Sequence, residues 1–270
     1  METFNIYQDI AERTGGDIYI GVVGPVRTGK STFIKRFMDL LVLPHIANTY
    51  TRERAKDELP QSASGRTIMT TEPKFVPNEA VEISLGDNAD VRVRMIDCVG
   101  YLVPGAEGDM DGDSPRMVHT PWAENAMPFR EAAELGTKKV MEGHCSIGIV
   151  VTTDGTITEI PREDYVQAEK RAITDMQKTG KPFLVIVNSR NPAGEAAGEV
   201  KAYLQSTFGL EPIVADCQAL DAEGIGKLMK ALLYTFPMSE LRVHLPRWMD
   251  ALEPEHPVKA ALYQALLQMA

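Results

Sequence analysis

Eight residues, Gly24-Pro25-Val26-Arg27-Thr28-Gly29-Lys30-Ser31, fit the pattern G-x-x-x-x-G-K-[ST] without a mismatch. The chemistry open to such a stretch is to hold a chain of phosphates. Its two glycines let the backbone curl so that successive N–H groups point at phosphate oxygens. A helix opening at Lys30 adds its positive N-terminal end. The Lys30 ammonium is a point charge for the terminal phosphates, and the Ser31 hydroxyl is a magnesium ligand. The expected nucleotide contacts are Gly24, Val26, Arg27, Thr28, Gly29, Lys30, Ser31 and Thr32. Arg27 is unusual inside such a loop. It either reaches a nucleotide or a neighbouring subunit as a catalytic arginine, or faces solvent.

Two further segments complete a triphosphate site. "RMIDCVG" ends an apolar run on Asp97 and places Gly100 three residues on. In this D-x-x-G arrangement the aspartate holds the magnesium shell, and the glycine amide senses the terminal phosphate. "TIMTTEP" supplies a magnesium-sensing threonine ahead of an edge strand. Thr70 or Thr71 fits that role, and Thr67 fits it less well. Catalysis is therefore assigned to Lys30, Thr70, Thr71 and Asp97, and magnesium to Ser31, Thr70, Thr71 and Asp97.

The base-reading segment departs from the usual guanine pattern. A GTP-reading loop carries N-K-x-D after its fifth strand, whereas this chain carries "VNSRN". Asn188 is in place, Ser189 replaces the lysine and Asn191 replaces the aspartate. A carboxylate accepts both guanine donors; an amide turns an NH2 toward one of them. Mispaired buried polar groups cost roughly 1–3 kcal/mol each. Guanine preference is therefore lost, and Asn191 either suits adenine or misses the base. ATP is the expected nucleotide. Many GTPases also place a glutamine just after the D-x-x-G glycine to orient water. Here Tyr101 and Leu102 follow, so water must be positioned by another group, and turnover is expected to be slow or assembly-stimulated.

Other clusters carry less. "DMDGDS" resembles the start of a calcium loop, but Ser114 stands where glycine is needed and Thr120 where glutamate is needed. Asp109, Asp111 and Asp113 read as a solvated loop tip. His45, His119, His144, His244 and His256 show no metal-ligand spacing. Cys98, Cys145 and Cys217 are odd in number, scattered and without C-x-x-C, which fits a reducing compartment.

These residues must be positioned by regular elements. "DIYIGVVG" reads as a buried strand and "KSTFIKRFMDLLVLP" as a helix stopping at Pro44. Residues 45–72 are polar with few core positions. "AVEISL" and "DVRVRMIDCVG" read as a hairpin, residues 101–128 as a long loop, and "FREAAELGTKKVMEG" as a helix. Strand and helix then alternate through "SIGIVVTTD", "REDYVQAEKRAITDMQKTG", "PFLVIVNS", "AGEVKAYLQSTFG", "PIVADC" and "GIGKLMKALLYTF". That alternation implies an α/β fold, a mostly parallel sheet with helices on both faces, over residues 1–237. Residues 238–270 change character. "ELRVHLPRW" reads as a strand and "VKAALYQALLQMA" as a helix with a face to bury. They begin a second domain or a docking element, or pack back on the core, and the natural chain is expected to continue.

Of the 270 residues 44% are hydrophobic, enough for a large core, and the net charge is −10. That balance opposes charge-driven binding to nucleic acid or anionic lipid. The N-terminus is not a secretory signal, and no run of about 18 apolar residues could span a membrane.

The segments "DIAERTGGDIYIGVVGPVRTGKSTFIKRFMDL", "DELPQSASGRTIMTTEPKFVPNEA", "DCVGYLVPGA" and "HTPWAENAMPFREAAELGT" together resemble the stage IV sporulation protein A family, the spore-coat morphogenetic ATPases of endospore-forming bacteria. The resemblance covers essentially the whole chain, but only the nucleotide-binding part of the family, whose members continue into middle and C-terminal domains. It implies a P-loop NTPase of the translation-factor-related GTPase-like class that has turned to ATP. It implies hydrolysis coupled to self-assembly into a static polymer on the forespore surface, in the mother-cell cytoplasm. It also implies other coat proteins as partners and recruitment by a small amphipathic membrane-anchoring peptide, whose contact lies beyond residue 270. Lys30 and Ser31 match the family's phosphate-loop pair, Thr70 and Thr71 its sensor threonines, and Asp97 its magnesium aspartate. A regulatory GTPase and a nucleotide-stabilised scaffold that does not hydrolyse are the alternatives.

Overall fold

The computed structural model describes residues 13–60, 67–68, 72–84, 90–236, 247–249, 252–253 and 256–269. The chain divides into two compact units, Met1–Phe236 and Pro237–Ala270.

The first unit is built on a six-stranded sheet. Its strands are β1 (Asp17–Val23), β2 (Lys74–Ser84), β3 (Asp90–Asp97), β4 (Ile147–Thr153), β5 (Phe183–Asn188) and β6 (Ile213–Ala215). Their order across the sheet is β6-β5-β4-β1-β3-β2. All neighbours run parallel except β2, which is antiparallel to β3. Helices among the described residues include α1 (Lys30–Phe37), α2 (Thr49–Asp57), α3 (Phe129–Lys139), α4 (Arg162–Lys178), α5 (Glu195–Phe208) and α6 (Ala222–Leu233).

Period-two alternation splits the core in two. Ile18, Ile20 and Val22 of β1, Ile147, Ile149 and Val151 of β4, and Leu184 and Ile186 of β5 join Phe33, Ile34, Phe37 and α6 on one face. Val23, Val150, Val185 and Val187 join α3, α4 and α5 on the other. Because β4 and β5 bury both faces, they read as nearly continuous apolar runs, whereas β2 and β3 toward the sheet edge alternate buried residues with exposed Glu82 and Arg92. Each fully buried Val, Leu, Ile or Phe side chain contributes about 1.5–3 kcal/mol. Local signals set the helix ends: the Asp221 carboxylate caps α6 by accepting from the Gly224 amide at 2.7 Å, and Gly209 closes α5 at φ +65.

Four stretches differ from the sequence expectation. The polar segment 45–72 contains helix α2, capped by Asn48, whose side chain accepts from the Thr51 amide. Only Ala55 of α2 is buried, so no apolar stripe announces it. Strand β2 begins at Lys74, ahead of the apolar alternation, and slips register between Val76 and Val81. Residues 101–128 hold two short antiparallel ladders, Met110–Asp111 with Ser114–Pro115 and Met117–Val118 with Met127–Pro128. Asp109 is no solvated tip, because Arg130 pairs with it at 3.1 Å, while Asp111 and Asp113 are exposed. Helix α1 does not run smoothly to Pro44: a π-helical turn at Met38–Val42 and a 3-10 turn at Leu43–His45 finish it.

In the second unit, helix α7 (Pro257–Met269) is preceded by a 3-10 turn at Arg247–Met249. The expected strand over 240–248 lies outside the described residues except for Arg247 and Trp248, which belong to that turn. Among the described residues no helix is long and apolar enough to cross a membrane.

Candidate functional site

Strand register assembles the site. Val22 of β1 pairs with Asp97 of β3, and Val23 pairs with Val150 of β4, so β1 and β3 end together where the chain leaves through Gly24, beside β4 running on to Thr153. Gly24 (φ +129) and Gly29 (φ +92) adopt backbone angles that L side chains rarely take. A Cβ on Gly24 would stand 2.3 Å from the Val151 carbonyl oxygen, and one on Gly29 would stand 2.2 Å from Asn188 Nδ2. Both glycines are therefore fixed by packing as well as by curvature.

The loop is braced from three directions. The Thr28 hydroxyl lies 2.8 Å from the Val151 carbonyl and 3.0 Å from that of Pro25. Asn188 Nδ2 donates to the Thr28 carbonyl at 2.9 Å, and its Oδ1 accepts from the Cys217 amide at 2.9 Å. The Val26 amide donates to the Tyr101 carbonyl at 2.8 Å, and the Tyr101 amide to the Gly24 carbonyl at 3.1 Å. Among the expected nucleotide contacts, Thr28 and Asn188 thus turn their side chains to shaping the loop, and the Val26 amide is taken by the neighbouring segment. Arg27 holds φ +63 and is half-buried, with Nη1 3.4 Å from the Thr67 carbonyl. Thr32 is half-buried in the first turn of α1.

Three predicted residues meet at the strand ends. Ser31 Oγ donates to Asp97 Oδ2 at 2.6 Å, and Lys30 Nζ donates to the Pro25 carbonyl at 2.7 Å. Burial lowers the Lys30 pKa to about 8, against the raising influence of Asp97. Burial raises the Asp97 carboxyl, against Ser31 and Lys30. Both charged forms are thus disfavoured while the pair is desolvated. Phosphate oxygens beside Lys30 and a divalent cation beside Asp97 would each restore the charge. The Ser31 and Asp97 oxygens are hard donors of the kind magnesium takes alongside substrate phosphates, so the residues present fit the ion. Among the described residues no group of three or more His, Cys, Asp or Glu could hold a metal by itself. A site completed by substrate phosphates requires none. Gly100 lies close by, where an added Cβ would stand 2.9 Å from Lys30 Nζ. Thr70 and Thr71 lie outside the described residues.

Asn191 is exposed, and its backbone links Ser189 Oγ at 3.0 Å to the Gly194 amide at 2.8 Å. Sequence reasoning missed Thr137, whose hydroxyl accepts from the Gly100 amide across 37 residues, and Asp175, which meets the Tyr101 phenol across 74. No local pattern announces contacts of that range.

A sheet in this order, with a glycine loop after its first strand, Lys30 and Ser31 opening the next helix and Asp97 ending the adjacent strand, defines a P-loop nucleoside triphosphatase domain. A family profile described as "Stage IV sporulation protein A, ATPase domain" matches residues 1–237. Stage IV sporulation protein A of Bacillus anthracis is 50% identical over 266 residues, 98% of this chain and 54% of that protein. Those of Bacillus subtilis (strain 168) and Clostridioides difficile (strain 630) are 50% and 48% identical, over 95% and 98% of this chain and 52% and 54% of theirs. The chain belongs to the stage IV sporulation protein A family. It spans about half the length of the curated relatives it matches. Among solved structures, the cytosolic domain of L. pneumophila FeoB is 15% identical, covering 86% of this chain and 75% of that one, with a TM-score of 0.39. The FeoB G-domain from Methanococcus jannaschii is 10% identical over 81% of this chain and 98% of that one, with a TM-score of 0.36. The fold class rests on strand order and loop, not on those distant likenesses.

Proposed function

We propose that this chain binds ATP with magnesium and hydrolyses it, and that hydrolysis drives self-assembly of a scaffold beneath the spore coat at the forespore surface. The observation that carries the chemistry is the 2.6 Å contact of Ser31 with Asp97 beside the buried Lys30. Lys30 binds the terminal phosphates, and the loop from Gly24 to Gly29 orients them. Ser31 and Asp97 would hold magnesium, joined by Thr70 or Thr71; the ion supplies charge neutralisation on the phosphates when bound. Adenine is favoured over guanine because Asn191 stands where guanine requires a carboxylate.

Turnover is slow or assembly-stimulated in this reading. The side chain after Gly100 is Tyr101, fully buried with its phenol on Asp175, which leaves no glutamine there to orient water. The partners are further copies of the chain, other coat proteins and a small amphipathic membrane-anchoring peptide, with nucleic acid disfavoured by the net charge of −10. The place is the mother-cell cytoplasm at the outer face of the forespore, with the membrane reached only through a partner.

The test is phosphate release from ATP and from GTP, with magnesium, across a protein concentration series and with Lys30→Ala as control. ATP preference with activity rising more than linearly in protein is expected. GTP preference would make the chain a regulatory GTPase. Tight ATP binding without release would make it a nucleotide-stabilised scaffold.

A further inference from the structure

The Gly100 amide, expected to contact the terminal phosphate, points elsewhere. It donates to the Thr137 hydroxyl at 3.2 Å. Thr137 is wholly buried in α3 and donates its own proton to the Ala133 carbonyl at 2.8 Å, which leaves its oxygen to accept from Gly100. Yet Gly100 lies against Lys30, since an added Cβ would stand 2.9 Å from the ammonium nitrogen and 2.1 Å from the Gly24 carbonyl oxygen. The amide is therefore close to the place of the phosphate while being held by a helix.

The next peptide is fixed. The Tyr101 amide donates to Gly24, and the Tyr101 carbonyl accepts from Val26. Rotation is confined to the Val99–Gly100 peptide, and Gly100, at φ +95, is the residue type that tolerates such a change. We propose that Thr137 is a positioning residue of the nucleotide site: it holds the Gly100 amide when no terminal phosphate is present and yields it to that phosphate when ATP binds. This rests on the reading of the chain as an ATP-binding domain. Thr137 then competes with the third phosphate alone, so it sets the preference for ATP over ADP.

Thr137→Val keeps the side-chain shape and removes the acceptor. A buried amide left without a partner gains more from phosphate, and one neutral hydrogen bond corresponds to roughly two- to tenfold in an equilibrium. The variant is expected to bind a non-hydrolysable ATP analogue tighter by about that factor, with ADP affinity little changed and Thr137→Ser behaving as wild type. Equal shifts for analogue and ADP, or none, would overturn the proposal. In the unsubstituted chain, the 15N-resolved Gly100 amide should move with the analogue and not with ADP; an unmoved amide overturns it whether or not the valine variant folds. An unsubstituted chain that binds neither nucleotide would instead overturn the ATP-binding reading, and the proposal with it.

Discussion

The Tyr101 phenol donates a hydrogen bond of 2.8 Å to a carboxylate oxygen of Asp175 on α4. The ring is fully buried, and the Arg171 guanidinium lies 5.6 Å from its centroid. The main chain of Tyr101 meanwhile bridges to Gly24 and Val26 of the phosphate loop. One residue thus ties the loop to a helix packed in the same core cluster. The position that carries a water-orienting glutamine in many GTPases is here a strut.

Tyr101→Phe removes only the bond to Asp175. Asp175 retains Lys178 at 3.0 Å and Lys138 at 3.5 Å, so no charge is orphaned. The expected loss is about 1 kcal/mol, read as a fall of roughly 2–4 °C in thermal midpoint. ATP turnover should stay within about twofold, a ratio under 0.5 kcal/mol in barrier. A much larger loss of turnover at unchanged stability would give the phenol a part in the chemistry.

The same contact has a pH signature. Burial works against the Asp175 charge, but hydrogen bonds from Lys178 and Tyr101 outweigh it and depress the pKa below 3.8. A depressed carboxylate stabilises the fold above its unfolded pKa, and that stability is lost as pH falls through the folded value. The gap between the unsubstituted chain and Tyr101→Phe should therefore be full near neutrality and shrink below about pH 3.9. Denaturant midpoints at pH 7 and pH 3 would check it.

Asn188→Ala tests the brace from β5. The substitution orphans the Thr28 carbonyl and the Cys217 amide, each 2.9 Å from the carboxamide it loses. A buried polar group without a partner costs about 1–3 kcal/mol. Stability should fall by roughly 2–6 kcal/mol on that scale, and nucleotide affinity should fall with it because the loop curvature is no longer held. Calorimetric titration with an ATP analogue, beside a melting curve, separates the two effects.

The sequence made the loop, the aspartate and the strand alternation legible because each is a local pattern. Gly24, Gly29, Lys30, Ser31 and Asp97 announce themselves within a few residues, and buried parallel strands are plain apolar runs. Helix α2 did not announce itself, since its one buried residue, Ala55, makes no stripe. The start of β2 was hidden by Pro73 and Pro77, and the ladders within 101–128 pair segments too short to show periodicity. Thr137 and Asp175 sit on ordinary amphipathic helices, and only the packed fold brings them to Gly100 and Tyr101.

Asp97→Ala should separate binding from turnover. Lys30 and the loop remain to hold the phosphates, whereas Ser31 loses its partner at 2.6 Å and magnesium loses its carboxylate. ATP affinity should fall modestly and phosphate release by about a hundredfold or more, the scale of removing one group that stabilises the transition state. Thr70→Ala combined with Thr71→Ala should behave alike. Normal hydrolysis by either variant, measured at saturating ATP, would remove the residue from the magnesium shell.

Asn191→Asp addresses the base. The backbone around this residue is set by Ser189 and Gly194, and the side chain is exposed, so the change should leave the fold intact. A carboxylate accepts from both guanine donors, whereas beside adenine it faces a ring nitrogen lone pair. Repairing one mispaired contact and creating another should move the ratio of GTP to ATP affinity upward by about tenfold, about 1.4 kcal/mol, small for two such groups because this side chain is exposed. Competition between the two nucleotides for one site, with and without the substitution, reads the ratio directly. An unchanged ratio would mean that the base lies away from Asn191 and that ATP preference is set elsewhere in the pocket.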